Sequence, residues 1–131
     1  MPTRAQLCAG LQHLHAKRIV HRDIKTLNVL LGADNELKIC DLGGSRLLTS
    51  GALLGGKVGT PLYLAPEVLQ CHPYDTKADI WSLGCLVYTL VTRLPPFLGR
   101  DSLDLSGTSR VCGQRCCERL RAGGARNSDQ R

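Results

Sequence analysis

Positions 21–28 read HRDIKTLN and place a carboxylate, an ammonium group and an amide within one short stretch. Asp23 can accept or orient a hydroxyl proton, Lys25 can stabilise a moving anionic charge, and Asn28 can offer a neutral oxygen to a divalent cation. Thirteen residues beyond Asn28, Asp41 adds a hard anionic oxygen ligand. Together these groups suit phosphoryl transfer, which depends mostly on aligning the attacking hydroxyl and neutralising charge.

Two predicted elements frame this stretch. Leucines recur at intervals of four and three between residues 5 and 17, which predicts an amphipathic helix leading into it. Two aliphatic runs follow, at 29–31 and 37–40, and the sequence GADN at 32–35 between them favours a tight turn. We therefore expect a β-hairpin directly after the polar stretch.

A long loop and a second helix are predicted further along the chain. Residues 41–59 are rich in Gly, Ser and Thr without a sustained period, which predicts a mobile loop of functional length. Asp75 or Thr76 can cap the second helix, which must end before Pro95 because proline cannot continue it. Apolar positions predict that this helix is central and buried: Ile80, Leu83, Val87, Leu90 and Val91.

The motifs, their order and their separations resemble those of the eukaryotic protein kinases. HRD at 21–23 with Asn28 matches the catalytic loop of that family, and DLG at 41–43 matches its metal-binding triplet with Leu in place of the usual Phe. APE at 65–67 matches the end of the activation segment. DIWSLG at 79–84 resembles the start of the central helix, in which the Asp holds the backbone of the catalytic loop.

The resemblance implies phosphoryl transfer from ATP with Mg²⁺, and it implies a role for each matched residue. Asp23 and Lys25 would be catalytic, the first facing the substrate hydroxyl and the second contacting the transferred phosphoryl group. Asn28 and Asp41 would bind the Mg²⁺ that accompanies the nucleotide. Leu30 would lie beneath the adenine ring.

Two features resemble the serine/threonine-specific branch of the family. Lys25 follows the catalytic Asp by two residues, and GTP at 59–61 resembles the turn in which Thr60 faces the substrate. Proteins with Ser or Thr acceptors are therefore the expected partners. Within the branch, the sequences DLG at 41–43, GTP at 59–61 and IWSLGCL at 80–86 look most like those of the NIMA-related kinases. The family resemblance also implies that His21 is a packing residue below the site.

The implied fold is α+β, a protein-kinase-like C-terminal lobe that is mainly α-helical with a short β-hairpin at the catalytic loop. Residues 1–98 would form a partial kinase domain, and residues 99–131, rich in Arg, Gly and Cys, would form a disordered tail. The twenty residues before His21 contain no Gly-rich loop, phosphate-pairing Lys or partner Glu. We therefore expect the N-terminal lobe to be absent and the chain alone to be inactive. The alternative is a catalytically silent, kinase-like interaction module.

Regulation by phosphorylation is suggested by Arg22, a cation beside the catalytic Asp that a phosphate in the activation segment could engage. Thr49 and Ser50 are the candidate acceptors. NIMA-related enzymes often carry a phosphorylatable residue four positions before the residue matched by Thr60, and this chain has Gly56 there.

Composition and charge argue against nucleic-acid binding, a membrane span and a zinc site. The net charge of +6 is spread over both halves of the chain, and no aromatic residue interleaves the Arg-rich tail, so nucleic acid is not an expected partner. The longest apolar stretch, 81–91, is too short for a bilayer core of about 30 Å. Seven cysteines without a signal peptide predict a reduced cytoplasmic protein, with the nucleus and the cytoskeleton as further locations, and the cluster near residue 116 lacks a histidine for zinc.

Overall fold

The computed structural model describes residues 4–97, so the predicted tail at 99–131 lies outside the described residues. Within this range the chain forms α-helices, short β-strands and single 3₁₀ turns, as in an α+β fold. The helices and strands are α1 Arg4–Ala16, β1 Ile19–Val20, β2 Val29–Leu31, β3 Leu37–Ile39, β4 Arg46–Leu47, α2 Pro66–Leu69 and α3 Lys77–Thr92. The 3₁₀ turns are Thr26–Asn28, Leu42–Gly44 and Pro61–Tyr63.

Helix α1 lies where the leucine spacing predicted it. Leu7 and Leu11 are buried in one core cluster with Ile24 and with Leu83 and Leu86 of α3. Burial of these side chains stabilises the contact between the first helix and the last described helix. Ile24, in the segment between the two helices, is therefore packed against both α1 and α3.

The predicted hairpin is confirmed as an antiparallel pair of β2 and β3, in which Val29 lies opposite Ile39. Asn35 in the turn has φ of 58°, a left-handed conformation that Asn tolerates better than most residues. A second ribbon, β1 with β4, pairs Ile19 with Leu47. Each of its strands has only two residues, which is too short to give a periodic signal in the sequence.

The irregular segment predicted at 41–59 is tied down at several points. It contains the turn Leu42–Gly44, strand β4 and a bridge in which Leu54 and Tyr74 exchange backbone hydrogen bonds of 2.8 and 2.9 Å. The segment is therefore less irregular than the sequence suggested, because backbone pairing to distant residues leaves no local period; its mobility stays a prediction. Beyond it, a second core cluster packs residues 64–69 against Tyr74 and the start of α3.

Helix α3 begins and ends near the predicted positions. The Asp75 carboxylate accepts a 2.7 Å hydrogen bond from the Lys77 N–H, whereas the Thr76 side chain makes no capping bond. The helix ends at Thr92 and is capped by Arg93, whose φ of 59° is left-handed, two residues before Pro95. In the described residues no helix has the length and apolarity that a membrane span requires.

Burial of α3 is one-sided, so the prediction of a central, buried helix holds for only part of its surface. Leu86 is completely buried and Leu83 nearly so, but Ile80, Leu90 and Val91 are 49%, 54% and 70% exposed. The apolar residues of α3 are distributed around the whole helix, so its sequence could not show which side contacts α1. The α+β class agrees with the structure, while assignment to a C-terminal lobe stays a prediction.

We expect Leu86→Ala to lower the free energy of unfolding by about 2–5 kcal/mol, because it opens a cavity between α1 and α3. Leu90→Ala, on the same helix but 54% exposed, should cost less than about 1 kcal/mol. Urea unfolding followed by circular dichroism measures both. Equal losses from the two variants would contradict the assignment of the core.

Candidate functional site

The site is built around Asp79, a carboxylate on the first turn of α3 that is only 1% exposed. Its Oδ2 accepts a 2.8 Å hydrogen bond from the His21 N–H, and its Oδ1 accepts a 2.9 Å bond from the Arg22 N–H. A buried carboxylate is costly unless hydrogen bonds satisfy it. These two bonds therefore fix the backbone immediately before Asp23.

Sequence reasoning left His15 without a role, but the structure places it in this network. Its Nε2 donates to Asp79 Oδ2 at 2.9 Å, across 64 residues of sequence. A single histidine on a helix gives no local sign of such a partner. The only sign in the sequence is its position: His15 lies in the last turn of α1, which leads directly to β1 and His21. Position alone is a weak indication of a partner.

His21 is structural, as predicted, because its side chain is fully buried. Its Nε2 donates to the Cys40 carbonyl at 3.0 Å, and its Nδ1 accepts a 3.3 Å hydrogen bond from the Asp23 N–H. The Cys40 N–H also donates to the Asn28 carbonyl at 3.0 Å. Through Cys40, the stretch at 21–28 is therefore joined to the residue before Asp41.

Asp23, Lys25, Asn28 and Thr60 meet in one polar network. Lys25 Nζ donates to Asp23 Oδ2 at 2.7 Å and to Thr60 Oγ1 at 3.1 Å, and Thr60 Oγ1 donates to Asp23 Oδ1 at 2.7 Å. Asn28 Nδ2 donates to the Asp23 carbonyl at 2.8 Å and to its Oδ2 at 3.1 Å. Each polar side chain in this network therefore has its orientation set by at least one other.

This network favours the ionised form of the Asp23 carboxyl group. Burial raises the pKa of the Asp23 carboxyl, but hydrogen bonds from Lys25, Thr60 and Asn28 and the positive charge of Lys25 outweigh it. The pKa therefore lies below the ordinary value of 3.8. Near neutral pH the carboxylate is ionised and can accept a proton.

A close approach of two loops completes the network. Gly59 has φ of 118°, and a Cβ atom there would collide with the Arg22 carbonyl oxygen. Only glycine fits this position, which brings Thr60 beside the loop that carries Asp23. The Gly59-Thr60-Pro61 turn is thus positioned by a backbone contact as well as by the hydrogen bonds of the Thr60 side chain.

Asp41 and Leu30 lie on the exposed side of the hairpin region. Asp41 has φ of 65°, and its Oδ1 accepts a 3.2 Å hydrogen bond from the Gly43 N–H, which leaves its second oxygen open. Leu30 is 55% exposed in the middle of β2. Because Asn28 Nδ2 points to Asp23, the amide oxygen of Asn28 is directed away from that bond.

Among residues 4–97, the Arg22 side chain forms no hydrogen bond or salt bridge with Thr49 or Ser50. Arg22 Nε donates to the Gly44 carbonyl at 2.6 Å. Thr49 and Ser50 are exposed in the turn after β4. No group of three or more His, Cys, Asp or Glu side chains suited to a metal ion occurs in residues 4–97.

Comparison with known proteins identifies the family. The model of the protein kinase domain matches residues 3–119, which is most of the chain. The chain therefore belongs to the protein kinase family. Similar curated proteins are serine/threonine-protein kinases.

Three relatives illustrate the similarity. The chain is 44% identical to serine/threonine-protein kinase 36 of Pongo abelii over 77% of its length, and 47% identical to serine/threonine-protein kinase fused of Drosophila melanogaster over 76%. It is 46% identical to serine/threonine-protein kinase Nek3 of Mus musculus over 70%. The matched regions span 8%, 12% and 18% of these three relatives.

We expect Lys25→Met to raise the pKa of Asp23, because it removes a charge and a hydrogen bond while burial remains. A lowered folded-state pKa gives stability that is present above the unfolded pKa and is lost as pH falls through the folded value. The stability advantage of wild type over the variant should therefore be constant above about pH 5 and shrink below the ordinary pKa of 3.8. Carboxyl NMR titration and pH-dependent unfolding measure the two effects.

The matched control is Lys38→Met, since Lys38 pairs with Glu36 at 2.9 Å and belongs to β3. It should leave the pKa of Asp23 unchanged. An unchanged pKa in Lys25→Met as well would contradict the proposed control of Asp23 by Lys25.

We expect His15→Ala to reduce the free energy of unfolding by about 1–3 kcal/mol, because it removes a hydrogen bond to a buried carboxylate. His13→Ala on the same helix, at an exposed position, is the control and should change stability by less than about 0.5 kcal/mol. Urea unfolding measures both variants. A loss from His15→Ala no larger than that from His13→Ala would contradict the role of His15.

Proposed function

We propose that this chain carries the catalytic part of an ATP-dependent protein serine/threonine kinase. The observation that carries the proposal is the 2.7 Å hydrogen bond from the Thr60 hydroxyl to the ionised Asp23. A substrate Ser or Thr hydroxyl could donate to Asp23 in the same way. Asp23 would then orient that hydroxyl and accept its proton during phosphoryl transfer.

Lys25 is the proposed electrostatic partner in this reaction. Its ammonium group bonds both Asp23 and Thr60, so it lies where negative charge moves between an attacking hydroxyl and a phosphoryl group. A lysine supplies this charge without fixing a planar geometry. Thr60 is the proposed substrate-facing residue because it bonds both catalytic side chains.

Asn28 and Asp41 are the proposed ligands of Mg²⁺. An amide oxygen and a carboxylate are the hard oxygen donors that Mg²⁺ prefers, and among residues 4–97 neither Asn28 Oδ1 nor Asp41 Oδ2 takes part in a hydrogen bond. When bound, the metal would neutralise charge on the phosphates of ATP. Leu30, which is largely exposed on β2, is the proposed apolar contact for the adenine ring.

Several narrower assignments stay predictions. The NIMA-related subfamily is supported by the motifs and by the 46% identity to Nek3, but other kinase types match as well, with 46% to ATG1b of Arabidopsis thaliana. Proteins bearing Ser or Thr remain the proposed substrates. A cytoplasmic location, the domain boundary at 98 and regulation through Arg22, Thr49 and Ser50 are likewise proposals.

A chimera tests this function directly. The segment of this chain that aligns with mouse Nek3 would replace the corresponding segment of that kinase, which it matches at 46% identity over 93 residues. We expect the chimera to transfer phosphate from ATP to a protein substrate. Asp23→Asn and Asp41→Asn should each lower kcat by at least about 100-fold, the first with nucleotide binding retained.

Asp34→Asn is the matched control, since Asp34 is an exposed turn carboxylate in the same hairpin, and it should leave activity unchanged. The 131-residue chain by itself is expected to show no transfer above its own Asp23→Asn variant. A folded chimera that binds nucleotide but transfers no phosphate would favour the silent interaction module instead. Full activity in either aspartate variant would reject the assigned role of that residue.

A further inference from the structure

A small cavity lies where the loop at 21–28 meets helices α2 and α3. Its volume is about 10 Å³. Four polar residues line it, Arg22, Tyr74, Asp79 and Ser82, and the rest of its wall is apolar. A cavity needs about 10–15 Å³ in order to hold one water molecule, so this cavity can take a single ligand of that size and nothing larger.

The Tyr74 hydroxyl is a buried polar group in the wall of this cavity. Tyr74 is only 4% exposed, and among residues 4–97 its hydroxyl has no hydrogen-bond partner. Trp81 Nε1 is the second such atom in that range, but Trp81 is not part of the wall. Nearly all buried polar groups in folded proteins are hydrogen-bonded, because an unpaired group loses its bonds to solvent without replacement. Tyr74 therefore requires an acceptor in the cavity.

Asp79 supplies acceptor capacity at the same cavity. Its Oδ2 accepts two hydrogen bonds, from the His21 N–H and from His15 Nε2, whereas its Oδ1 accepts one, from the Arg22 N–H. A carboxyl oxygen has two lone pairs, so Oδ1 can accept one more hydrogen bond. Ser82 and Arg22 add further polar groups to the wall. A ligand in the cavity can therefore meet a donor and an acceptor together.

Water matches these groups better than an ion or an apolar molecule does. It can accept a hydrogen bond from Tyr74 and donate one to Asp79 at the same time. A cation such as Mg²⁺ needs about six oxygen ligands, and a cavity of this size has no room for the solvent that would complete its shell. An anion would lie beside the Asp79 carboxyl group, and an apolar ligand would leave Tyr74 unpaired.

We propose that this cavity binds one water molecule, which accepts a hydrogen bond from the Tyr74 hydroxyl and donates one to Asp79 Oδ1. Buried water of this kind is part of a protein structure, because it satisfies polar groups that cannot reach each other. Tyr74 is then a positioning residue, which acts through the water and Asp79 on the backbone of His21 and Arg22. The proposal goes beyond the proposed function and requires no kinase activity.

Magnetic relaxation dispersion of water oxygen-17 tests the site in the full chain, because it counts water molecules with long residence times. We expect one fewer in Tyr74→Phe than in wild type, since the water loses its donor and exchanges faster. Tyr88→Phe is the matched control, because Tyr88 lies on α3 outside the cavity wall, and it should keep the wild-type number. Equal numbers in wild type and Tyr74→Phe would overturn the proposal.

The sign of the stability change separates a bonded hydroxyl from an unpartnered one. If water bonds Tyr74, Tyr74→Phe should raise the equilibrium constant for unfolding by about 3- to 10-fold, which is the contribution of a typical hydrogen bond. An unchanged or smaller constant would show that the hydroxyl has no partner. Urea unfolding measures this constant. A loss of stability with an unchanged number of bound waters would place the partner in the protein and would also reject the water site.

Hydrogen exchange tests the positioning role, which a purely structural effect would not reproduce. In Tyr74→Phe the Arg22 amide should exchange at least about 3-fold faster than in wild type, because its acceptor is Asp79 Oδ1. Amides of the β2–β3 hairpin should keep their wild-type rates after correction for the change in global stability. A uniform increase along the chain would contradict the positioning role of Tyr74.

Discussion

The buried carboxylate of Asp79 is the constraint on which the rest of the site depends. It lies on α3, yet its hydrogen bonds go to His15 on α1 and to the backbone of His21 and Arg22. A buried carboxyl group is tolerated only when hydrogen-bond donors surround it, so helix α3 and the loop at 21–28 must keep this arrangement together. One side chain thus couples packing of the core to the position of Asp23.

The loop at 21–28 is held by backbone contacts as well as by its own side chains. Arg22 adopts a left-handed conformation, φ 70°, which costs energy for a residue with a Cβ atom and is compensated by its N–H bond to Asp79. Gly59 then approaches the carbonyl of Arg22 closely. These contacts bring together two loops whose hydrogen-bonded side chains, Asp23 and Thr60, are 37 residues apart.

Burial and function are distributed differently along this stretch. His21 and Asp79 are nearly inaccessible and act as supports, whereas Asp41 and Leu30 are exposed. Groups that bind a ligand must be kept in place by rigid supports, and the buried side chains supply that support. Asp23, partly buried, belongs to both sets, which explains why opposing effects act on its pKa.

Sequence alone determined the family resemblance, the first and last helices and the β2–β3 hairpin, because each depends on motifs or periods within a few neighbouring residues. It also marked Asp23, Lys25 and Asn28 as chemically capable. Only the tertiary structure gave His15 a partner, paired β1 with β4 and left one side of α3 exposed. These features depend on residues that meet across 26 or more positions of chain, and no local pattern encodes such a contact.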